Sequence, residues 1–103
     1  MIASWNARKT IFLHISDERE RQEAKFTGWS VASDALNDNE RLAILTEEVG
    51  EVARELCERL GKCRSPMQIE ASEAMLRREL VQTAAVCVAW IEALDRPLLP
   101  VKK

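Results

Sequence analysis

The feature that most restricts the fold of this chain is an apolar repeat between residues 42 and 60. Its members follow steps of three and four residues: Leu42, Leu45, Val49, Val52, Leu56 and Leu60. Because such steps place side chains on one face of an α-helix, the repeat indicates an amphipathic helix. A polar cap at Asn37 or Asp38 precedes the repeat and Gly61 follows it. The pattern therefore predicts a helix over about residues 38–60.

A second helical pattern lies before this segment. Steps of three and four residues connect Phe12, Ile15, Arg19, Gln22 and Phe26. They predict a first helix over about residues 8–26.

The predicted third helix, at about residues 71–94, is apolar over most of its circumference. Ser65, Pro66 and Gln68 match a capping box, so an earlier start is the alternative to a start near Ser72. One seam of this helix contains Leu76, Leu80, Ala84, Cys87, Ile91 and Leu94, and the far side carries Val81, Ala85 and Val88. Because a short chain cannot cover both sides, we expect the far side to be a subunit interface.

The fold class expected from these patterns is all-α, with a helical hairpin protomer that assembles into a four-helix bundle. One domain over residues 1–103 is expected, since 47% of the residues are apolar, 31% are charged, and only three are glycine and three proline. The alternative is a single hairpin with a partly exposed third helix and no assembly.

Composition also excludes several classes of protein. The net charge of −2 argues against binding to nucleic acid, because such proteins concentrate Lys and Arg in a basic stripe. The apolar run at residues 11–13 is too short for a signal peptide or a membrane span. The three cysteines show no CxxC spacing, which indicates neither a disulfide framework nor a zinc site. A cytoplasmic protein without membrane partners is therefore expected.

Acidic residues lie in helical register on two of the predicted helices. Glu48 and Glu51 share a face of the second helix, and Glu79 and Gln82 share a face of the third. Carboxylate oxygens are the ligands that hard divalent cations prefer. Two facing helices of this kind could therefore hold one metal ion.

Ordinary ion pairs are the alternative explanation of these carboxylates. On the second helix the available pairs are Glu51 with Arg54 and Glu55 with Arg59; on the third, Arg77 or Arg78 could neutralise Glu79. A charge at the border of an apolar helix is costly unless it is paired or bound to metal. The residues alone leave both explanations open.

Both acidic segments resemble motifs of the MazG-like nucleoside triphosphate pyrophosphohydrolases. The segment EEVGE at residues 47–51 is similar to the EExxE motif of that family, and ELVQ at residues 79–82 lies where the family has ExxD. The segment ERERQEAKF at residues 18–26 resembles the first-helix pattern ERxRQxxKW. The resemblance covers roughly residues 15–95 and is carried by the combination of these motifs.

The resemblance implies hydrolysis of a nucleoside triphosphate between the α- and β-phosphates, with Mg²⁺ or Mn²⁺ as cofactor and a role in cleaning the nucleotide pool. It implies metal ligation by Glu48, Glu51 and Glu79. Glu47 is then a further ligand or the base that orients the attacking water. Gln82 stands where the family has Asp, so its carboxamide oxygen can still coordinate but the site loses a negative charge.

By the same resemblance, the first helix and the following loop approach the base of the nucleotide. Gln22 and Lys25 are then polar contacts, and Phe26 or Trp29 is a stacking surface, unless these aromatic residues belong to the core. A homo-oligomer, dimer or tetramer, is implied. Two alternatives remain: a catalytically silent helical oligomerisation or adaptor module, and a pyrophosphohydrolase of phosphoribosyl-ATP.

Overall fold

A computed structural model of the chain describes residues 2–62 and 65–96. These residues form three helices and no strand: α1 (Ile2–Lys25), α2 (Asp38–Lys62) and α3 (Pro66–Asp95). The predicted all-α class is confirmed. The backbone of α3 contacts both α1 and α2, whereas α1 and α2 do not contact each other within the described ranges. The radius of gyration is 16.5 Å, compared with about 13 Å for a compact domain of this length, so the protomer is elongated.

Side-chain caps fix where α2 and α3 begin. Asn37 Oδ1 accepts a hydrogen bond from the Glu40 amide at 2.8 Å, and Glu40 Oε1 accepts one from the Asn37 amide at 3.0 Å. Ser65 and Gln68 make the same reciprocal pair of bonds at 3.2 and 3.0 Å. Each box satisfies two amides that a helix start leaves without partners. The prediction that α3 begins near residue 71 is therefore wrong, because the capping box starts it at Pro66.

Two other boundaries also differ from the prediction. α1 begins at Ile2 rather than near residue 8, because residues 2–7 contain neither glycine nor proline to stop a helix. α2 continues through Gly61 to Lys62, since a single glycine costs only about 1 kcal/mol inside a helix.

Most of the apolar seam of α2 faces outward, although Leu45 and Val52 are half-buried. Val49 is 52% exposed, and Leu42, Leu56 and Leu60 are also exposed. The other half-buried residues of this helix belong to the stripe that contains Ile44, Glu48, Glu55 and Arg59. α2 therefore turns its acidic stripe inward and leaves most of its predicted apolar face uncovered within the protomer.

On α3, the burial of two residues is the reverse of the prediction, whereas Val88, predicted at the interface, is exposed. Ala85, predicted at the subunit interface, has an exposed fraction of 0%, whereas Leu80, from the predicted seam, is 51% exposed. Assignment of Ala85 to the interface is therefore wrong. Small side chains such as Ala85 and Ala89 allow neighbouring segments to approach α3 closely, because interhelical distance depends on the side chains at the contact. The larger side chains on the opposite side remain exposed.

The buried core lies where the loop after α1 meets α3. Val31 and Ala32 of the loop cluster with Val86 and Ala89 of α3, and partly buried side chains complete the cluster: Ile44, Leu45 and Trp90. Gly28 has a φ angle of +80°, a conformation that residues with a Cβ rarely adopt. The turn at this glycine directs the loop back along the protomer.

Arg41 of α2 holds this loop in place. Its Nε donates to the carbonyl of Val31 at 2.7 Å and its Nη2 donates to the carbonyl of Ser33 at 2.8 Å. The side chain is almost completely buried. It supplies a donor to the buried carbonyl of Val31, whose loss would cost about 1–3 kcal/mol, whereas the carbonyl of Ser33 also accepts from the Leu36 amide at 3.2 Å.

Over the part of the chain that the structure describes, none of the helices has a segment both long and apolar enough to cross a lipid bilayer.

We predict that Ala85→Leu destabilises the protein by about 1–3 kcal/mol, because the added methylenes have no space at a fully buried position. Ala74→Leu, an exposed change of the same type on α3, should change the free energy of unfolding by no more than about 0.5 kcal/mol. Urea denaturation at equal protomer concentrations would measure both. Equal effects of the two substitutions would contradict the described burial of Ala85.

Candidate metal centre and adjoining cavity

Three carboxylates from two helices meet between α2 and α3. Glu48 and Glu51 project from α2 and Glu79 from α3, and one potential ligand atom from each lies within 4.8 Å of the others. At the usual Mg–O distance of about 2.0–2.1 Å, opposite ligands of one ion are roughly 4 Å apart. The cluster therefore needs only small side-chain movements to bind one cation.

The local chemistry of this cluster fits a cation. Oε2 of Glu48 and Oε2 of Glu79 are both buried and have no hydrogen-bond partner among the described residues. Leaving a buried polar atom unpaired costs about 1–3 kcal/mol, and more when it is charged. Two such atoms beside a third carboxylate form an oxygen-rich site without a donor.

Three of the arginines that could have paired with the cluster make other contacts. Arg54 pairs with Glu58 at 3.4 Å, and Arg59 Nε donates to Ser72 Oγ at 2.9 Å. On α3, an Arg77 Nη2 atom lies 2.9 Å from Nδ1 of His14. Arg54 and Arg77 are therefore engaged elsewhere. Nη2 of Arg59 is buried without a hydrogen-bond partner among the described residues, and the charge of Arg78 still favours the ionised form of Glu79.

The cluster also shifts the ionisation of its members. Burial, followed by the negative charges of Glu51 and Glu79, raises the pKa of Glu48 above its ordinary value. Burial, followed by a hydrogen bond shared with Glu51 and the charges of Glu51 and Glu55, raises the pKa of Glu79. Both shifts have the direction expected when desolvated carboxylates are held together without a cation.

A cavity of about 420 Å³ adjoins the cluster, a volume within the range of small-molecule sites. Seven of the residues predicted for the site line its wall: Gln22, Lys25, Phe26, Trp29, Glu47, Glu48 and Gln82. Glu51 and Glu79 are not part of this wall. Glu48 is thus the residue shared by the carboxylate cluster and the cavity.

The aromatic residues of the cavity are not core residues. Trp29 is 70% exposed, and Phe26 is also exposed. Both line the cavity, and Lys25 Nζ lies 5.2 Å from the centroid of the Phe26 ring. The core alternative for these aromatics is therefore wrong. They come from the end of α1 and the turn at Gly28, where the chain has left the packed part of the helix.

Gln22 and Gln82 are brought together across α1 and α3. Gln22 Nε2 donates to the main-chain carbonyl of Gln82 at 3.3 Å and to Oε2 of Glu18 at 3.1 Å. Gln82 lines the cavity. Its coordination of metal stays a prediction, as does the role of Glu47, which is exposed on the cavity wall.

Sequence reasoning missed two arginines of the cavity wall, Arg19 and Arg21. Arg19 is buried and pairs with Glu92 of α3 at 2.9 Å and with Glu23 at 2.7 Å. Its place among the apolar steps of the first helix was the available signal, because a charged residue at a buried helical position requires a partner. Arg21 lies off that repeat, and its signal was the match to the second arginine of the ERxRQxxKW pattern.

Comparisons of the chain with models of known protein families, with curated proteins and with solved structures found no match.

The raised pKa values of Glu48 and Glu79 predict that the metal-free protein loses stability as the pH rises. In the unfolded chain these carboxyls ionise near 4.5, whereas in the folded state they ionise at higher pH. The folded state therefore binds more protons in this interval, and the stabilisation present below 4.5 disappears as the pH passes the raised values. The pKa values of Glu18 and Glu23 are lowered instead, so these two residues change the stability only below pH 4.5.

Thermal unfolding after chelator treatment should therefore give a lower Tm at about pH 7.5 than at about pH 5. Added Mn²⁺ should raise the Tm mainly at the higher pH, where the carboxylates are ionised. Glu79→Gln should reduce both effects, whereas Glu73→Gln, an exposed change on the same helix, should preserve them. A wild-type Tm that rises over this interval would contradict the described cluster.

Proposed function

We propose that this protein is a metal-dependent nucleoside triphosphate pyrophosphohydrolase of the MazG-like type. The observation that supports this function best is the position of Glu48, which belongs both to the three-carboxylate cluster and to the cavity wall. A cation site beside a cavity with aromatic and cationic side chains suits a ligand with a flat base and a chain of phosphates. The motif resemblance supports the same class of substrate.

In this proposal Glu48, Glu51 and Glu79 hold Mg²⁺ or Mn²⁺, which supplies neutralisation of phosphate charge and a lowered pKa of water. Glu47 orients the attacking water and accepts its proton, because it is the remaining carboxylate of the segment on the cavity wall. The water attacks the α-phosphate, the bond to the bridging oxygen breaks, and pyrophosphate leaves. The carboxamide oxygen of Gln82 is an uncharged potential ligand of the metal.

The opposite part of the cavity binds the nucleoside. Phe26 and Trp29 offer exposed aromatic faces on which a base can stack. Gln22 provides polar contacts, and Lys25 adds a positive charge near the phosphates. The base is thus held by stacking and the phosphates by charge.

We further propose that two protomers associate through the exposed apolar seams of α2 and α3. Both seams carry exposed large apolar side chains, including Val49 and Leu80. A face of this kind on a soluble protein favours a partner with a matching face, and a second copy of the chain has one. Two helices from each copy would form the expected four-helix bundle.

We predict that incubation with nucleoside triphosphates and Mg²⁺ releases pyrophosphate and a nucleoside monophosphate. Glu51→Gln and Glu79→Gln should each cost at least about 4 kcal/mol of transition-state stabilisation, roughly a thousandfold in rate, because each removes a charged ligand. Product analysis by ion-exchange chromatography measures both expectations, with the exposed Glu73→Gln as the matched control.

Each alternative function predicts a different result. Release of orthophosphate would contradict cleavage between the α- and β-phosphates. Turnover of phosphoribosyl-ATP in place of free nucleotides would change the substrate and retain the chemistry. Absence of turnover with every ribo- and deoxynucleotide and with either metal would favour the silent adaptor module.

The proposed assembly is tested by Val49→Glu, which places a charge on the exposed seam of α2. Because the charge would be buried between two copies, we expect this variant to sediment as a monomer at concentrations where the wild type is oligomeric. Ala43→Glu, an exposed change off the seam of the same helix, should leave assembly intact. A folded wild-type monomer at low micromolar concentration would refute the interface.

A further inference from the structure

We propose that Glu18 and Arg21 form an exchangeable ion pair in which Arg21 leaves Glu18 to bind the phosphates of the nucleotide. Glu18 is then a competitor, built into α1, for the group that receives the substrate. This inference rests on the proposed nucleotide site. It adds Arg21 as a residue that binds phosphate and Glu18 as a residue that limits the affinity of the site for phosphate.

The geometry of the pair suits such an exchange. Nε and Nη2 of Arg21 donate to the two carboxylate oxygens of Glu18 at 2.8 and 2.7 Å. The guanidinium fork binds phosphate oxygens with the same bidentate geometry. The Arg21 side chain is 49% exposed and lines the cavity, whereas the Glu18 side chain is 12% exposed. The guanidinium of Arg21 is therefore accessible, whereas the carboxylate of Glu18 is largely covered.

Arg21 shares the cavity wall with Glu48 of the carboxylate cluster. Its charge is influenced first by Glu18 and also by Glu48, and both interactions raise the pKa of its guanidinium. Glu18 in turn is one of the negative charges that raise the pKa of Glu48, after burial and the nearer carboxylates. Arg21 is thus within electrostatic reach of a carboxylate of the candidate metal cluster, where the phosphates of the proposed substrate would lie.

The other cations of the cavity wall are less suited to this exchange. Arg19 is buried and held by Glu92 and Glu23. Lys25 lies over the ring of Phe26 and is a point charge without the fork of a guanidinium. Arg21 is therefore the accessible guanidinium of the cavity among the described residues.

The exchange is feasible because the pair joins neighbours on one helix and its arginine is half exposed, which makes it weaker than a fully buried pair. A triphosphate carries more charge and more acceptor oxygens than a carboxylate. After Arg21 has moved, Glu18 keeps its hydrogen bond from Gln22 Nε2 at 3.1 Å, and the charge of Arg78 continues to favour its ionised form.

A double-mutant cycle on phosphate binding tests the exchange. The probe is inorganic tripolyphosphate with Mg²⁺, titrated into the full chain in a calorimeter, because it lacks a base and needs no turnover. Arg21→Gln should weaken binding about tenfold, since a charge-assisted bidentate contact is lost. Glu18→Gln should tighten binding about two- to threefold, which corresponds to loss of a weak competing pair. In the Arg21→Gln background, Glu18→Gln should have no further effect.

The matched control is the pair of Arg54 and Glu58 on α2, which also joins an arginine to a carboxylate but is not part of the cavity wall. Arg54→Gln and Glu58→Gln should leave tripolyphosphate affinity unchanged. Circular dichroism and the Tm of each variant would show that it is folded. Affinity for Mg²⁺ alone, measured in the same series, separates loss of the metal from loss of phosphate contact.

Three outcomes would overturn the inference. Weaker binding by Glu18→Gln would mean that the pair supports the site structurally. Tightening that persists in the Arg21→Gln background would mean that Glu18 acts through its long-range charge. Unchanged binding by Arg21→Gln would exclude the contact itself. If wild-type protein does not bind tripolyphosphate, the phosphate contact inferred for Arg21 is wrong, whereas the proposed function is decided separately by the product analysis; if it binds and the cycle fails, only the exchange is wrong.

Discussion

The structure depends on α3 packing against both other helices. The backbones of α1 and α2 do not contact each other within the described residues, so each is positioned through α3. Ala85 and Ala89 make this possible, because their small side chains are fully buried and allow close approach. On the α1 side, the ion pair between Arg19 and Glu92 adds a directional contact, with its bonds at 2.9 and 3.1 Å. The cavity lies where α1, α2 and α3 surround the same space.

This packing leaves two unfavourable features in an isolated protomer. Glu48, Glu51 and Glu79 are held close together with buried oxygens that lack donors, and the apolar seams of α2 and α3 face solvent. Departures from the usual rules of burial and pairing are expected mainly where a protein functions. A divalent cation would relieve the first feature, and a second copy of the chain would relieve the second. The two proposals therefore account for different defects of one arrangement.

The loop between α1 and α2 contributes to the site although it has no regular secondary structure. Its buried residues, Val31 and Ala32, are fixed by the core and by Arg41. Trp29, immediately before this anchored part, remains exposed beside the cavity. A rigid support beneath an exposed aromatic side chain reduces the entropy that a ligand must overcome on binding.

The sequence by itself determined the three helices and the carboxylates that can share a site. Periodicity identified α2. The capping residues indicated where a helix can begin, as at Ser65, because a capping box depends only on hydrogen bonds between residues near in sequence. Helical register placed Glu48 and Glu51 on one face, and the structure brings Glu79 to them.

Only the tertiary structure decided which side of each helix is covered, because a helix with apolar residues on several sides has more than one face that can pack. It buried Ala85 and exposed Leu80, the reverse of the expected arrangement. It also brought Arg21 to the cavity beside the acidic motif of α2, since a contact between residues distant in the chain depends on how the helices pack and not on any local pattern.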